Sequence, residues 1–108
     1  MNVWTIQIDI DTLTDIQDII NWYNTQSNGL GTRFKKQIVL QIGSLKDIPE
    51  IYGNRYDEVR CMLIKKFPFL VHYSLDNNKN LVQVFAVFHT SRNPTIWAKR
   101  NKRLSALQ

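Results

Sequence analysis

Hydrophobic residues change their spacing along this chain, and each change marks an element. In VWTIQID, residues 3–9, Trp4, Ile6 and Ile8 alternate with Thr5, Gln7 and Asp9. A period of two sends one set of side chains to a buried face and the other to water, so a first strand is expected here. The period then lengthens, with Leu13, Ile16, Ile19, Ile20 and Tyr23 recurring at three- and four-residue steps, the stripe of an amphipathic helix. Asp11 or Thr12 is the expected N-cap, and Asp15 and Asp18 suit the start of such a helix. The helix should end near Ser27-Asn28-Gly29, where Gly29 can adopt a left-handed C-cap conformation. Leu30, Phe34, Ile38 and Ile42, four residues apart, form the stripe of a second helix, with Arg33, Lys35 and Lys36 on its other faces. So short a connection makes the pair an antiparallel hairpin.

GSLKDIPEIYGNRY, residues 43–56, carries Gly43, Pro49 and Gly53 and reads as an irregular bridge. Three strand-like runs follow, over 57–64, 69–75 and 81–89, the last two joined by DNNKN, whose Asp and Asn tolerate left-handed turns. Asn93 is then a fair N-cap and Pro94 a fair first helical residue, so a short C-terminal helix is expected. The order predicts an α+β fold: an N-terminal strand, an α-helical hairpin packed on a mostly antiparallel sheet, and a C-terminal helix. If Leu75 pairs with Leu81, one sheet face carries Phe69, Val71, Tyr73, Phe85, Val87 and His89, and the other Leu70, His72, Val82, Val84, Ala86 and Phe88. Both faces are apolar, and a helical hairpin covers only one. The other is left for the C-terminal segment or for a partner, which reads as a protein-binding groove, although a homodimer or a folded-back tail satisfies it equally.

A length of 108 residues suits one domain, 1–108, with the order of a tail at 101–108 left open. Apolar residues at 44% and charged residues at 21% place the chain among folded proteins rather than disordered ones. No run approaches a membrane span and the N-terminus lacks a signal-peptide layout, so the expected location is cytoplasmic, without a membrane partner. Cys61 is the single cysteine, which excludes an internal disulfide and a multi-thiolate zinc cage; it reads as a core strand residue. No metal site and no cofactor is expected. The charge is lopsided: residues 1–58 hold eight acids and five bases, residues 59–108 nine bases and the single acid Asp76. A basic half implies an anionic partner, or a face that is simply solvated.

The chemistry-bearing groups lie in that basic half. His89 ends the last strand and Arg92 follows three residues later, beside the start of a helix whose free N–H groups favour anions. Attack of a ribose 2′-OH on its phosphate needs a base titrating near neutrality and cations around phosphorus, which His89 and Arg92 could supply. The alternative is a strand-end turn whose polar groups cap the helix or pair with Asp57 or Glu58. His72, amid apolar neighbours, reads as a satisfied interior histidine. Lys65 and Lys66, just before Pro68, could line an anion path with Arg60, or merely blunt a strand end. Trp97 reads as a core plug rather than a base-stacking platform, while Lys99, Arg100 and Arg103 make the terminal helix cationic. No phosphate-cradling Gly-rich loop and no serine elbow is present.

YDEVRCMLIKKFPFLVHYSLD and LVQVFAVFHTSRNPTIWAKR, together with LTDIQDIINWY, GLGTRF and IPEIYGNRYDEVR upstream, resemble the RelE/ParE superfamily of toxins from bacterial type II toxin–antitoxin modules. HTSRNPTIW is the most specific part, and the likeness spans about residues 3–100. The resemblance implies the same helical hairpin on an antiparallel sheet, and it implies two possible targets. RelE-like members cut mRNA on the ribosome with several basic residues and often a C-terminal tyrosine or histidine; ParE-like members, some of them known as plasmid stabilisation proteins, poison DNA gyrase. Arg92 falls where a RelE-like arginine would stand, yet Phe69 replaces the strand-start arginine and no tyrosine or histidine follows His89. That departure favours a gyrase inhibitor, with a ribosome-dependent mRNA endonuclease using His89 and Arg92 as the alternative, and an inactive antitoxin-binding member as a third. An acidic antitoxin is implied in each case, with operator DNA reached only through that complex, and a homodimer or a heterotetramer with antitoxin as assemblies. The antitoxin or target is expected to cover Val71, Tyr73, Phe85 and Val87 and to meet Arg60, Lys65, Lys66, Arg92, Trp97, Lys99, Arg100 and Arg103.

Overall fold

The computed structural model describes residues 3–92. Strand β1 (Thr5–Ile8) leads into helix α1 (Ile10–Gln26), helix α2 (Leu30–Ser44) and a 3-10 turn (Pro49–Ile51). Strands β2 (Asn54–Tyr56), β3 (Val59–Leu63), β4 (Phe69–Asp76) and β5 (Leu81–His89) follow. The strands form one sheet in the order β1-β5-β4-β3-β2, with the two helices packed on it, so the architecture is α+β as the periodicity predicts. The sheet is mixed, because β1 runs parallel to β5, from Thr5 opposite Leu81 to Ile8 opposite Val84. A parallel pair needs a long connection, and here the helical hairpin and three antiparallel strands intervene.

Local chemistry explains where elements start. Asp9, not Asp11 or Thr12, caps α1: its backbone is extended, and its carboxylate accepts from the Thr12 amide at 3.2 Å and from the Thr12 hydroxyl. The alternation places Asp9 on the wet side of the strand; it follows that strand directly and satisfies the orphan helix donor of Thr12, three residues later. Gly29 is left-handed, φ +84°, but it stands at the start of α2, while α1 closes with the Ser27 amide donating to the Tyr23 carbonyl at 3.0 Å. Gly31 serves a different purpose. A Cβ there would fall on the Ile20 carbonyl oxygen, and its amide donates to Asn24 Oδ1 at 2.8 Å, so this glycine lets the helices touch. β2 lies within the stretch read as irregular bridge. It is three residues long and turns into β3 through a left-handed Asp57, φ +47°, too short for any alternation to register.

The largest correction concerns the sheet faces. β4 and β5 pair with Phe69 opposite His89 and His72 opposite Ala86, but Tyr73 lies opposite Val84 and Asp76 opposite Leu81. The register shift leaves Phe85 as an extra residue, and a bulge of this kind moves every later side chain to the other face. Phe85 therefore joins Val59, Leu70, Ala86 and Phe88 in a cluster opposite the helices, while Val82 and Val84 pass to the helix side. There they pack with Phe69, Val71, Tyr73 and Val87 under Ile20, Tyr23, Phe34, Ile38 and Ile42. Phe34 meets Tyr23, Phe67 and Phe69 with ring centroids 5.1–5.5 Å apart, mostly edge to face.

Among the described residues, no open apolar sheet face is found. Val71 and Tyr73 are fully buried and Val87 nearly so beneath the helices, and Phe85 is only 4% exposed on the other side. Leu70, Ala86 and Phe88 are buried as well. The expected C-terminal helix from Asn93 and Pro94, with Trp97, Lys99, Arg100 and Arg103, lies outside the described residues.

Candidate functional site

Among the described residues, the cations read from the sequence separate into three places. Arg60, in the middle of the β3 ladder, directs its guanidinium to the Glu50 carbonyl at 3.2 Å and to the Tyr52 carbonyl. With the Tyr73 hydroxyl, which donates to the Pro49 carbonyl at 2.6 Å, it ties the 3-10 turn to the sheet. Arg60 thus ties the 3-10 turn to the sheet, and Lys65 and Lys66 lie elsewhere, on the β3–β4 turn.

The second place is the end of β5. His89 and Arg92 share one tight turn, closed by the Arg92 amide donating to the His89 carbonyl at 2.9 Å, and both are exposed. His89 Nδ1 lies 3.1 Å from the Ser91 amide nitrogen and 2.8 Å from Ser91 Oγ, and its ring stands edge-on to Phe69 at 5.3 Å. A backbone N–H can only donate, so Nδ1 is the acceptor and the neutral ring carries its proton on Nε2. The nitrogen that could take a proton is therefore the one already occupied. Phe69 itself is buried and opens β4 opposite His89, so the strand start beside this turn presents hydrocarbon.

The third place joins Lys65 and Lys66, both named from the sequence, to neighbours on α2 that sequence reading did not connect with them. Lys65 and Lys66 sit on the β3–β4 turn across a groove from Arg33 and Lys36 of α2, and Leu30, Gln37, Leu40 and Phe67 complete a lining around about 670 Å³. Leu40 is 70% exposed on the outer side of α2, although the helix already has a complete buried stripe. An exposed leucine between cations at i−4 and further on is the signal that was available.

Polar groups also meet on the face opposite the helices. His72 is fully buried; its Nδ1 is 3.1 Å from the Tyr56 hydroxyl and 3.4 Å from Cys61 Sγ. Burial, with a smaller contribution from Arg55, lowers the His72 pKa from 6.5 to about 4. Burial raises the Cys61 thiol to about 11, against a smaller opposing effect of Arg55, so both groups are neutral near pH 7. His72 is thus the satisfied interior histidine expected, and Cys61 is an unreactive thiol. Among the described residues, no group of three or more His, Cys, Asp or Glu side chains is placed to hold a metal ion, and no helix is long and apolar enough to cross a membrane.

A family profile described as the ParE toxin of the type II toxin–antitoxin system parDE matches residues 6–94. The chain belongs to the ParE toxin family. ParE-type toxins of type II toxin–antitoxin systems and RelE toxins also share its fold. The structure described as the chromosomal ParDE system from P. aeruginosa superposes with a TM-score of 0.72 at 13% identity, covering 82% of this chain and 98% of that one. A doubly substituted E. coli RelE toxin in the free state superposes with a TM-score of 0.69 at 14% identity, covering 94% and 97%. The toxin of the intact E. coli RelBE complex gives 0.64 at 15% identity, covering 82% and 99%. No curated protein matches the sequence at a significant level.

Proposed function

We propose that this ParE-family toxin arrests growth by protein contact with DNA gyrase rather than by cutting RNA, and that an acidic antitoxin holds it silent. The observation that carries the choice of target is the strand-end turn. His89 Nδ1 is engaged by the Ser91 amide and Phe69 occupies the neighbouring strand start, so among the described residues the base nitrogen of the turn is occupied and the strand start beside it carries no cation. In-line cleavage needs a free base and cations around the phosphorus. The endonuclease reading draws on the exposure of His89 and Arg92 on one turn, which a ribosome-bound substrate could reach. The antitoxin reading draws on the cationic second half and on the fact that the similar ParDE and RelBE structures are toxin–antitoxin systems.

Induction of the chain without a partner should stop growth, with supercoiling activity of purified gyrase falling on addition of the protein while transcripts stay intact. His89→Ala combined with Arg92→Ala should leave that inhibition in place. Transcript cleavage in a ribosome-dependent assay, abolished by the same pair of substitutions in a folded protein, would establish the endonuclease instead. Unimpeded growth at full expression would mark an inactive member that only binds its antitoxin.

A further inference from the structure

The chain between α2 and β2 is held more firmly than a connection needs. Leu45 and Pro49 are buried and Tyr52 packs partly against the core, so three inward side chains anchor residues 45–52. The carbonyls of the segment are also engaged from within. The Ile48 carbonyl accepts the Ile51 amide at 3.3 Å, the Pro49 carbonyl accepts the Tyr73 hydroxyl at 2.6 Å, and the Glu50 and Tyr52 carbonyls accept the Arg60 guanidinium. Arg60 and Tyr73 stand opposite each other on β3 and β4, so two neighbouring positions of the sheet support one 3-10 turn. With backbone and anchors fixed, little ordering remains to be done on binding.

What this support carries outward is apolar. Ile48 is 59% exposed and Ile51 67%, and the exposed Val3 is brought to the same segment by the Trp4 amide, which donates to the Lys46 carbonyl at 3.2 Å. A turn that faced only water would gain nothing from two isoleucines, whereas β-branched side chains on a fixed backbone lose little rotamer freedom when a partner covers them. Beside them stand Asp47 and Glu50, both exposed and neither in an ion pair among the described residues. Residues 45–52 hold these two acids and one base, Lys46. Such a rim disfavours a nucleic acid, an anionic lipid and an acidic antitoxin alike. A protein surface that sets cations around an apolar recess fits it, and an enzyme that works on DNA carries such cations along its DNA path.

We propose that this turn is the surface by which the toxin engages gyrase: Ile48 and Ile51 enter an apolar recess on that enzyme, and Asp47 and Glu50 meet cations beside it. The assignment rests on the target proposed above and adds the place of contact. It uses none of the residues of the His89–Arg92 turn or of the cationic groove on α2.

The test uses the full chain and purified gyrase, with supercoiling and direct binding measured side by side. Ile48→Ser with Ile51→Ser should raise the concentration for half-inhibition by roughly tenfold or more, since two aliphatic anchors are lost. Asp47→Lys with Glu50→Lys should weaken inhibition by a similar factor and slow association most at low salt. Val39→Ser removes a comparably exposed aliphatic side chain, 62%, from α2 and should change nothing. An unfolding midpoint equal to that of the parent chain verifies each fold. Should the isoleucine variant fail to fold, the carboxylate variant, which alters exposed side chains alone, reads the same surface. Full inhibition by the folded isoleucine variant, unchanged or tighter binding by the carboxylate variant, or an equal loss with Val39→Ser would each overturn the contact surface and leave gyrase as the target. A parent chain that neither binds gyrase nor slows supercoiling overturns the target and the contact together.

Discussion

The two faces of the sheet are both buried, yet they are made of different chemistry. On the helix side, Val71, Val82, Val84 and Val87 pack against Phe34, Ile38 and Ile42, and the polar Tyr73 hydroxyl is discharged on the Pro49 carbonyl. On the other side, Phe85 and Phe88 flank His72, which shares its ring nitrogen with Tyr56 and Cys61. Hydrocarbon burial does not depend on pH, whereas a histidine held neutral does. The helix side should therefore set how stable the domain is, and the opposite side how that stability varies with acidity.

The largest expected effect is on the helix side. Phe34→Ala removes a fully buried ring that touches Tyr23, Phe67 and Phe69, and should cost about 3–5 kcal/mol in denaturant unfolding at every pH. Acidification probes the other face. Because the His72 pKa is lowered on folding, the unfolded chain binds the extra proton first. Its contribution is intact above the ordinary 6.5 and is lost as pH falls toward about 4. The loss should approach roughly 3 kcal/mol, since one pKa unit corresponds to about 1.4 kcal/mol. His72→Gln should flatten that slope, and a slope unchanged in the variant would show that another group is responsible.

Tyr73→Phe should cost about 1–2 kcal/mol by leaving the Pro49 carbonyl without its donor, with no change in the acid slope. The smallest expected effect on stability is none at all. Alkylation of Cys61 in the native protein at pH 8 should run roughly a hundredfold slower than in the unfolded chain, because a thiol raised from 9.0 to about 11 holds about a hundredth of the thiolate. Reaction at the unfolded rate would mean that this face opens readily.

Much of the fold was legible because it is written in short-range repetition. Phe34, Ile38 and Ile42 announce a helix and its inner face in one stroke, and Asp76 with Asn78–Asn80 announces a turn, which the Asp76 carboxylate completes by accepting the Asn78 amide at 3.0 Å. β2 was illegible, since three residues cannot display a period. The sheet faces were illegible for another reason. A bulge at Phe85 changes no residue type, and its single extra residue was enough to put Val82, Val84 and Phe85 on the wrong sides. Of the candidate site, His89, Arg92, Lys65 and Lys66 could be named from residue type, but Arg60 could not be recognised as a structural tie nor Arg33 as a neighbour of Lys66.

Periodicity and residue type alone determine that two amphipathic helices pack on an apolar sheet and that the cations gather in the second half, because both properties reside in neighbours a few positions apart. Which cations share a surface and which sheet face each valine enters are decided only when distant strands pair and a helix leans on a turn. Arg33 and Lys66 are 33 positions apart along the chain. They line one groove because Gln41 bridges α2 to the β3–β4 turn, a contact that no local pattern encodes.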